Sequence, residues 1–121
     1  MKIKSFRDLE IWKRSIKLVP DICRETKSFP KEEIYTLVSQ IRRSAVSIPS
    51  NIAEGFSRFY NKEYRQFLYI SLGSCSELTT QLMIASRLGY ITVNREQTLV
   101  NEIEVISKTI TSLIKKLNTN D

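Results

Sequence analysis

The side chains in this sequence best suited to chemistry are basic. Lys13, Lys17, Arg42, Arg43, Arg58, Lys62 and Arg65 supply ammonium and guanidinium groups that neutralise phosphates. Together they are the expected contact surface for RNA or DNA. Such contacts position a backbone but read no sequence. Aromatic residues interleave with the bases in Gly55–Phe67, and exposed rings there would stack on unpaired bases. Phe59 and Tyr60, beside a helix junction, are the rings expected outside; Phe56, Tyr64 and Phe67 are expected inside. The charge pattern agrees with an anionic partner: residues 1–65 hold 14 Lys/Arg against 8 Asp/Glu, whereas residues 66–121 hold 5 of each. The whole net charge of +6 therefore lies in the first half. An ordinary solvated basic face would give the same count.

Apparatus for catalysis is sparse. The chain has no histidine, which removes imidazole acid–base chemistry, histidine triads and histidine metal sites. Gly55, Gly73 and Gly89 are too scattered to cradle a phosphate. No catalytic residue, metal site or cofactor is expected. Cys23 and Cys75 fall among apolar positions and read as buried free thiols. No run approaches the ~20 apolar residues that span a bilayer, and the N-terminus lacks a signal-peptide core. A cytoplasmic, non-enzymatic protein with no membrane partner is the expectation.

Four helical segments must position these groups, over about residues 8–27, 31–56, 62–88 and 95–117 of one domain spanning 1–121. In the first, Leu9, Trp12, Ile16, Val19 and Cys23 form an apolar stripe, widened by Ile11, Leu18 and Ile22. A stripe this wide exceeds one seam. Pro20 should kink or break that helix. Glu10 and Asp21 lie one turn from Arg14 and Arg24 and can pair with them.

The second segment buries Ile34, Leu37, Ile41, Ala45, Ile48 and Ile52 and turns Arg43, Ser47, Ser50 and Glu54 outward. Pro49 either kinks it or breaks it; in a break, Asn51 caps a new helix. The third is expected to start at an Asn61 cap, to bury Tyr64, Leu68, Leu72, Cys75, Leu78, Leu82 and Ala85, and to end at a left-handed Gly89. The fourth opens on an Asn94/Gln97 capping box. It then carries a heptad-like seam of Leu99, Ile103, Ile106, Ile110, Leu113 and Leu117. Short links make consecutive helices neighbours, so the predicted fold is all-α, an antiparallel up-down-up-down four-helix bundle.

These residues also carry a resemblance. Phe6-Arg7-Asp8-Leu9-Glu10-Ile11-Trp12-Lys13, the hairpin from Thr26 to Glu33, and above all Ile48-Pro49-Ser50-Asn51-Ile52-Ala53-Glu54-Gly55 resemble the 23S rRNA intervening-sequence proteins. Asn61-Lys62-Glu63-Tyr64, Gly73-Ser74, Glu77-Leu78 and Arg87-Leu88-Gly89-Tyr90 continue the likeness. Pro20 departs from the pattern, where a helix former would be expected. The resemblance implies a bacterial protein assembled as a homopentameric barrel, with no catalytic residues to carry over. Related bundles, the accessory variability determinants of diversity-generating retroelements, bind nucleic acid and a reverse transcriptase. Ile48, Pro49, Ser50, Asn51, Ala53, Glu54 and Gly55 then read as a structural motif shaping the second helix. Two functions follow: an oligomeric accessory protein that binds nucleic acid through its basic surface, or a scaffold that docks a larger nucleic-acid enzyme such as a reverse transcriptase.

Overall fold

The structure, a computed structural model, describes residues 3–118. Among them are four α-helices and no strand: α1 (Glu10–Thr26), α2 (Ser39–Phe56), α3 (Asn61–Arg87) and α4 (Val93–Asn118). No helix there is long and apolar enough to cross a membrane. One hydrophobic core takes side chains from all four helices, with Ile22, Ile41, Ile48, Ile52, Leu68, Leu78, Leu82, Ile103, Ile106 and Ile110 fully enclosed. Each such side chain contributes about 1.5–3 kcal/mol on leaving water.

Helix α1 turns a different face inward from the one expected. Its buried line is Ile11, Ser15, Leu18, Ile22 and Thr26, while Ile16 is 41% exposed and Trp12, Val19 and Cys23 lie at the margin. Two hydroxyls make the shift affordable. Ser15 Oγ donates to Ile11 O at 2.8 Å and Thr26 Oγ1 to Ile22 O at 3.1 Å, so both polar groups are satisfied within the helix. Counting only apolar residues rotates the face. Pro20 leaves α1 unbroken, and it sits on the exposed side, where water can reach the carbonyl that the ring leaves without a donor.

The approach to α2 is irregular. A 3-10 turn, Lys31–Glu33, passes into one π turn, Ile34–Val38, before the α-helix proper begins. The wider turn brings Leu37 and Val38 to the core and leaves Ile34 exposed, against the expectation of a regular helix from residue 31. Pro49 does not break α2. Asn51 caps nothing; its Nδ2 donates to Ser47 O at 2.8 Å.

Helix α3 starts at Asn61 itself, so Tyr60 occupies the N-cap, with no side-chain bond to the first turn. At its other end Gly89 has φ of 80°, and Tyr90 N–H donates to Ala85 O while Gly89 N–H donates to Ser86 O. That is the Schellman arrangement expected of a glycine here. Helix α4 begins one residue before the expected Asn94 cap. Thr92 takes the role, its Oγ1 accepting from Arg95 N–H at 3.1 Å.

Two ends of the molecule follow from the contacts. At one, the links after α1 and after α3 meet: Phe29 and Tyr90 rings lie 5.2 Å apart. At the other lies the link Ser57–Tyr60, and Arg65 near the start of α3 donates through Nη1 to Leu117 O near the end of α4, at 3.2 Å.

Candidate nucleic-acid interface

The seven basic residues do not form one patch. Lys13 and Lys17 are exposed one turn apart on α1, along a groove shared with α4. Arg14 in the same groove pairs with Glu102 of α4 at 3.1 Å, not with Glu10. Arg95 closes the groove's far end on Glu25 at 2.8 Å. Arg24 pairs with Asp21, as its spacing suggests. Arg43 stands exposed on the outer face of α2. Lys62 is exposed at the start of α3.

Three of the arginines have internal work. Arg42 lies partly buried against α1, its Nε donating to Thr26 Oγ1 at 2.9 Å and its Nη2 to Cys23 O at 3.4 Å. These bonds satisfy the end of α1 and hold α2 to it. Arg65 makes the α3–α4 contact described above. Arg58 pairs with Glu54 at 3.2 Å and lies 4.7 Å above the Phe67 ring. Sequence spacing counts a guanidinium as a free cation; only the neighbouring helices reveal these carbonyl and carboxylate partners.

The Ile48–Gly55 motif shapes α2 against its neighbours. Ile48, Pro49 and Gly55 are buried, while Ser50 and Glu54 are exposed. Ser71 Oγ donates to Ile48 O at 2.9 Å, and the Ser47 and Ser74 hydroxyls share a bond of 2.7 Å. Small polar residues thus stitch α2 to α3, and Ser47 lies at that seam instead of facing solvent. Gly55 has a steric reason. A Cβ there would meet Phe67 Cβ and Tyr64 Cδ1 at 2.9 Å and Tyr64 O at 3.1 Å. Phe56, Tyr64 and Phe67 are half-buried around this point. Burial pushes the Tyr64 phenol up to about 12.

On the other side of α2, Trp12, Ile16, Val19, Pro20, Val46 and Pro49 line an open apolar groove with α1. The outer face of α3 is a further surface that stripe counting misses. Between Phe67 and Ser86 the only charged residue is Glu77. Tyr69, Ile70, Met83 and Ile84 are exposed there, and nothing lies within 4 Å of a Cβ placed on Gly73. The absence of charge was the signal in the sequence.

The two thiols differ. Cys75 is buried, and desolvation pushes its thiol up. Cys23 is only half-buried, contrary to expectation, because its place on α1 falls at the margin of the core. Among the described residues no cluster of Cys, Asp and Glu is arranged to hold a metal ion.

Helix order, the Ile48–Gly55 motif and its close α2–α3 contact coincide with a match over residues 7–112 to the 23S rRNA-intervening sequence protein family. The chain belongs to that family. The fold also matches a solved structure from Bacteroides thetaiotaomicron, a protein of unknown function from the S23 ribosomal protein family. The TM-score is 0.78 at 24% identity, covering 87% of this chain and 98% of the other. At that identity the likeness speaks for the fold of this intervening-sequence protein. Neither comparison indicates an enzymatic family. No curated protein matches the chain.

Proposed function

We propose that the chain is a non-enzymatic accessory protein of the cytoplasm that assembles with copies of itself and binds RNA or DNA through its basic surface. The observation that carries the reading is the exposed set Lys13, Lys17, Arg43 and Lys62, drawn from the half of the sequence that holds all the net positive charge. Each separate patch is small. Repetition around an assembly would join weak contacts into a strong one. Supporting self-assembly is the outer face of α3, one charge in the run Phe67–Ser86 with four large apolar side chains exposed. The protomer is read as one domain, an antiparallel up-down-up-down bundle, and the family resemblance suggests a homopentameric barrel.

A titration of nuclease-treated protein by fluorescence anisotropy tests the reading. Labelled structured RNA, single-stranded RNA and duplex DNA should bind at low salt and be released steeply as salt rises. Lys13→Glu, Lys17→Glu and Lys62→Glu combined should weaken every probe. Arg42 and Arg65 are left intact, because their bonds tie α2 to α1 and α3 to α4. Absence of binding at low salt sinks the reading. Light scattering should return a pentamer's mass; a monomer's mass removes the assembly.

The apolar groove of Trp12, Ile16, Val19, Val46 and Pro49 favours a second reading, a scaffold that docks a larger nucleic-acid enzyme such as a reverse transcriptase. Co-purification with such an enzyme in the absence of any nucleic-acid affinity would select it.

A further inference from the structure

We infer that the link between α2 and α3 is a stacking site for unpaired nucleotides, with Phe59 and Tyr60 as its base platform and Lys62 beside it for the phosphate backbone. The inference rests on the nucleic-acid reading above and names the form of nucleic acid taken.

Phe59 is 90% exposed and Tyr60 is 65% exposed. A lone exposed ring is ordinary. Two in succession on a tight link are not what folding selects, because such links favour Gly, Asn, Asp and Ser. Tyr60 is the sharper case. It holds the N-cap of the 27-residue helix α3 and makes no side-chain bond there. A Ser, Thr, Asp or Asn at that position would accept from the first-turn amides and stabilise the helix by a substantial margin. The chain forgoes that for a phenol directed at solvent.

The rings also touch each other. Their centroids lie 5.0 Å apart at 78°, edge to face. An edge-to-face contact favours both rings while leaving ring faces open for a base to stack on.

The charges around the link favour a polyanion. Lys62 is exposed two residues beyond Tyr60. Lys115 is exposed on the last turns of α4, which Arg65 ties to this end through Leu117 O. Glu54 is paired with Arg58, and Asp8, which keeps its negative charge while accepting from the Lys4 and Ser5 amides, is adjoined by the exposed Arg7. Glu63, in the first turn of α3, is a further acidic neighbour. Rings flanked by cations suit a strand whose bases are free to stack; a duplex keeps its base faces covered.

The test compares oligo(U) RNA, oligo(dT) DNA and a duplex of equal length against the full chain at one salt concentration. Phe59→Ala with Tyr60→Ala should weaken both single strands by about tenfold to a hundredfold and the duplex by about threefold at most. Phe59→Trp should keep single-strand affinity, and its added emission should be quenched on binding. A matched mass and urea midpoint check that the double variant remains folded and assembled. Unchanged single-strand affinity overturns the inference and leaves nucleic-acid binding intact. Equal loss on all probes also overturns the inference, as does a change in assembly mass, which would make the rings a subunit contact. Failure of the wild type to bind any probe overturns the broader reading itself.

Discussion

Each end of this molecule carries a pair of aromatic rings on its links, and the two pairs do opposite things. At the end where Phe29 meets Tyr90, Phe29 is buried to 6% exposure and the Tyr90 hydroxyl donates to Glu33 at 2.8 Å. Arg42 and Arg95 close the same end with bonds to α1. At the other, Phe59 and Tyr60 touch each other and stand in water. Beneath them, though, the backbone is tight, because α3 crosses α2 at Gly55 with no room for a Cβ. The difference separates two uses of the same residue type. Rings that bind links together contribute to stability. Rings held out from a rigid base are available to a partner.

The largest expected effect would break this comparison outright if it failed. Phe29→Ala should cost about 3–5 kcal/mol, as for a buried ring lost from a core, whereas Phe59→Ala should lie within about 0.5 kcal/mol of wild type. Urea denaturation of both variants measures it, and similar midpoints would show that the two ends do not differ. Next in size is Gly55→Ala. Contacts of 2.9 Å on Phe67 and Tyr64 must be relieved by parting α2 from α3. Overpacking of about 1–3 kcal/mol should outweigh the helix propensity gained. A midpoint at or above wild type would show that the open end rests on a loose base.

The acidic limb of a pH series sharpens the comparison. Hydrogen bonds from Thr36 and then Tyr90 hold the Glu33 carboxyl below its usual range. A lowered folded-state value stabilises the fold above the unfolded carboxylate value and loses that contribution as pH falls through the folded one. Tyr90 is raised, first by its bond to Glu33, so its share is complete below the ordinary phenol range and is lost as pH climbs past it. The stability gap between wild type and Glu33→Gln should therefore narrow as the pH drops below the carboxylate range. A constant gap would remove Glu33 from the closed end's linkage.

The smallest effect concerns the ion pairs. Arg95–Glu25 joins α4 to α1, whereas Arg58–Glu54 spans a single turn with both side chains largely exposed. Exposed pairs contribute ~0–1 kcal/mol. Glu54→Gln should be nearly silent in denaturation, and Glu25→Gln should cost slightly more. The reverse order would contradict the assignment of open and closed ends.

Much of the fold was legible in the sequence, because helices follow from local rules. The heptad-like seam of α4 places Leu99, Ile103, Ile106 and Ile110 in the core as the spacing requires, but beyond Ile110 it is Ile114 that is buried, with the expected Leu113 and Leu117 at the margin. Gly89 ends α3 in the left-handed conformation because other residues adopt it at a cost. The candidate site was less legible. Arg42 and Arg65 read as free cations until α1 and α4 supply their acceptors. The inward face of α1 was displaced because Ser15 and Thr26 bury hydroxyls that bond to their own helix.

What the amino-acid sequence determined by itself was the number and approximate extent of the helices, the apolar seams of α3 and α4, and a positive charge confined to residues 1–65. All of these rest on interactions within a few residues along the chain. The tertiary structure decided which end is closed by its aromatic rings and which leaves them in water, why position 55 must be glycine, and which arginines remain for a partner. Those outcomes depend on groups distant in sequence arriving within a few ångströms of one another, and no local spacing encodes that distance.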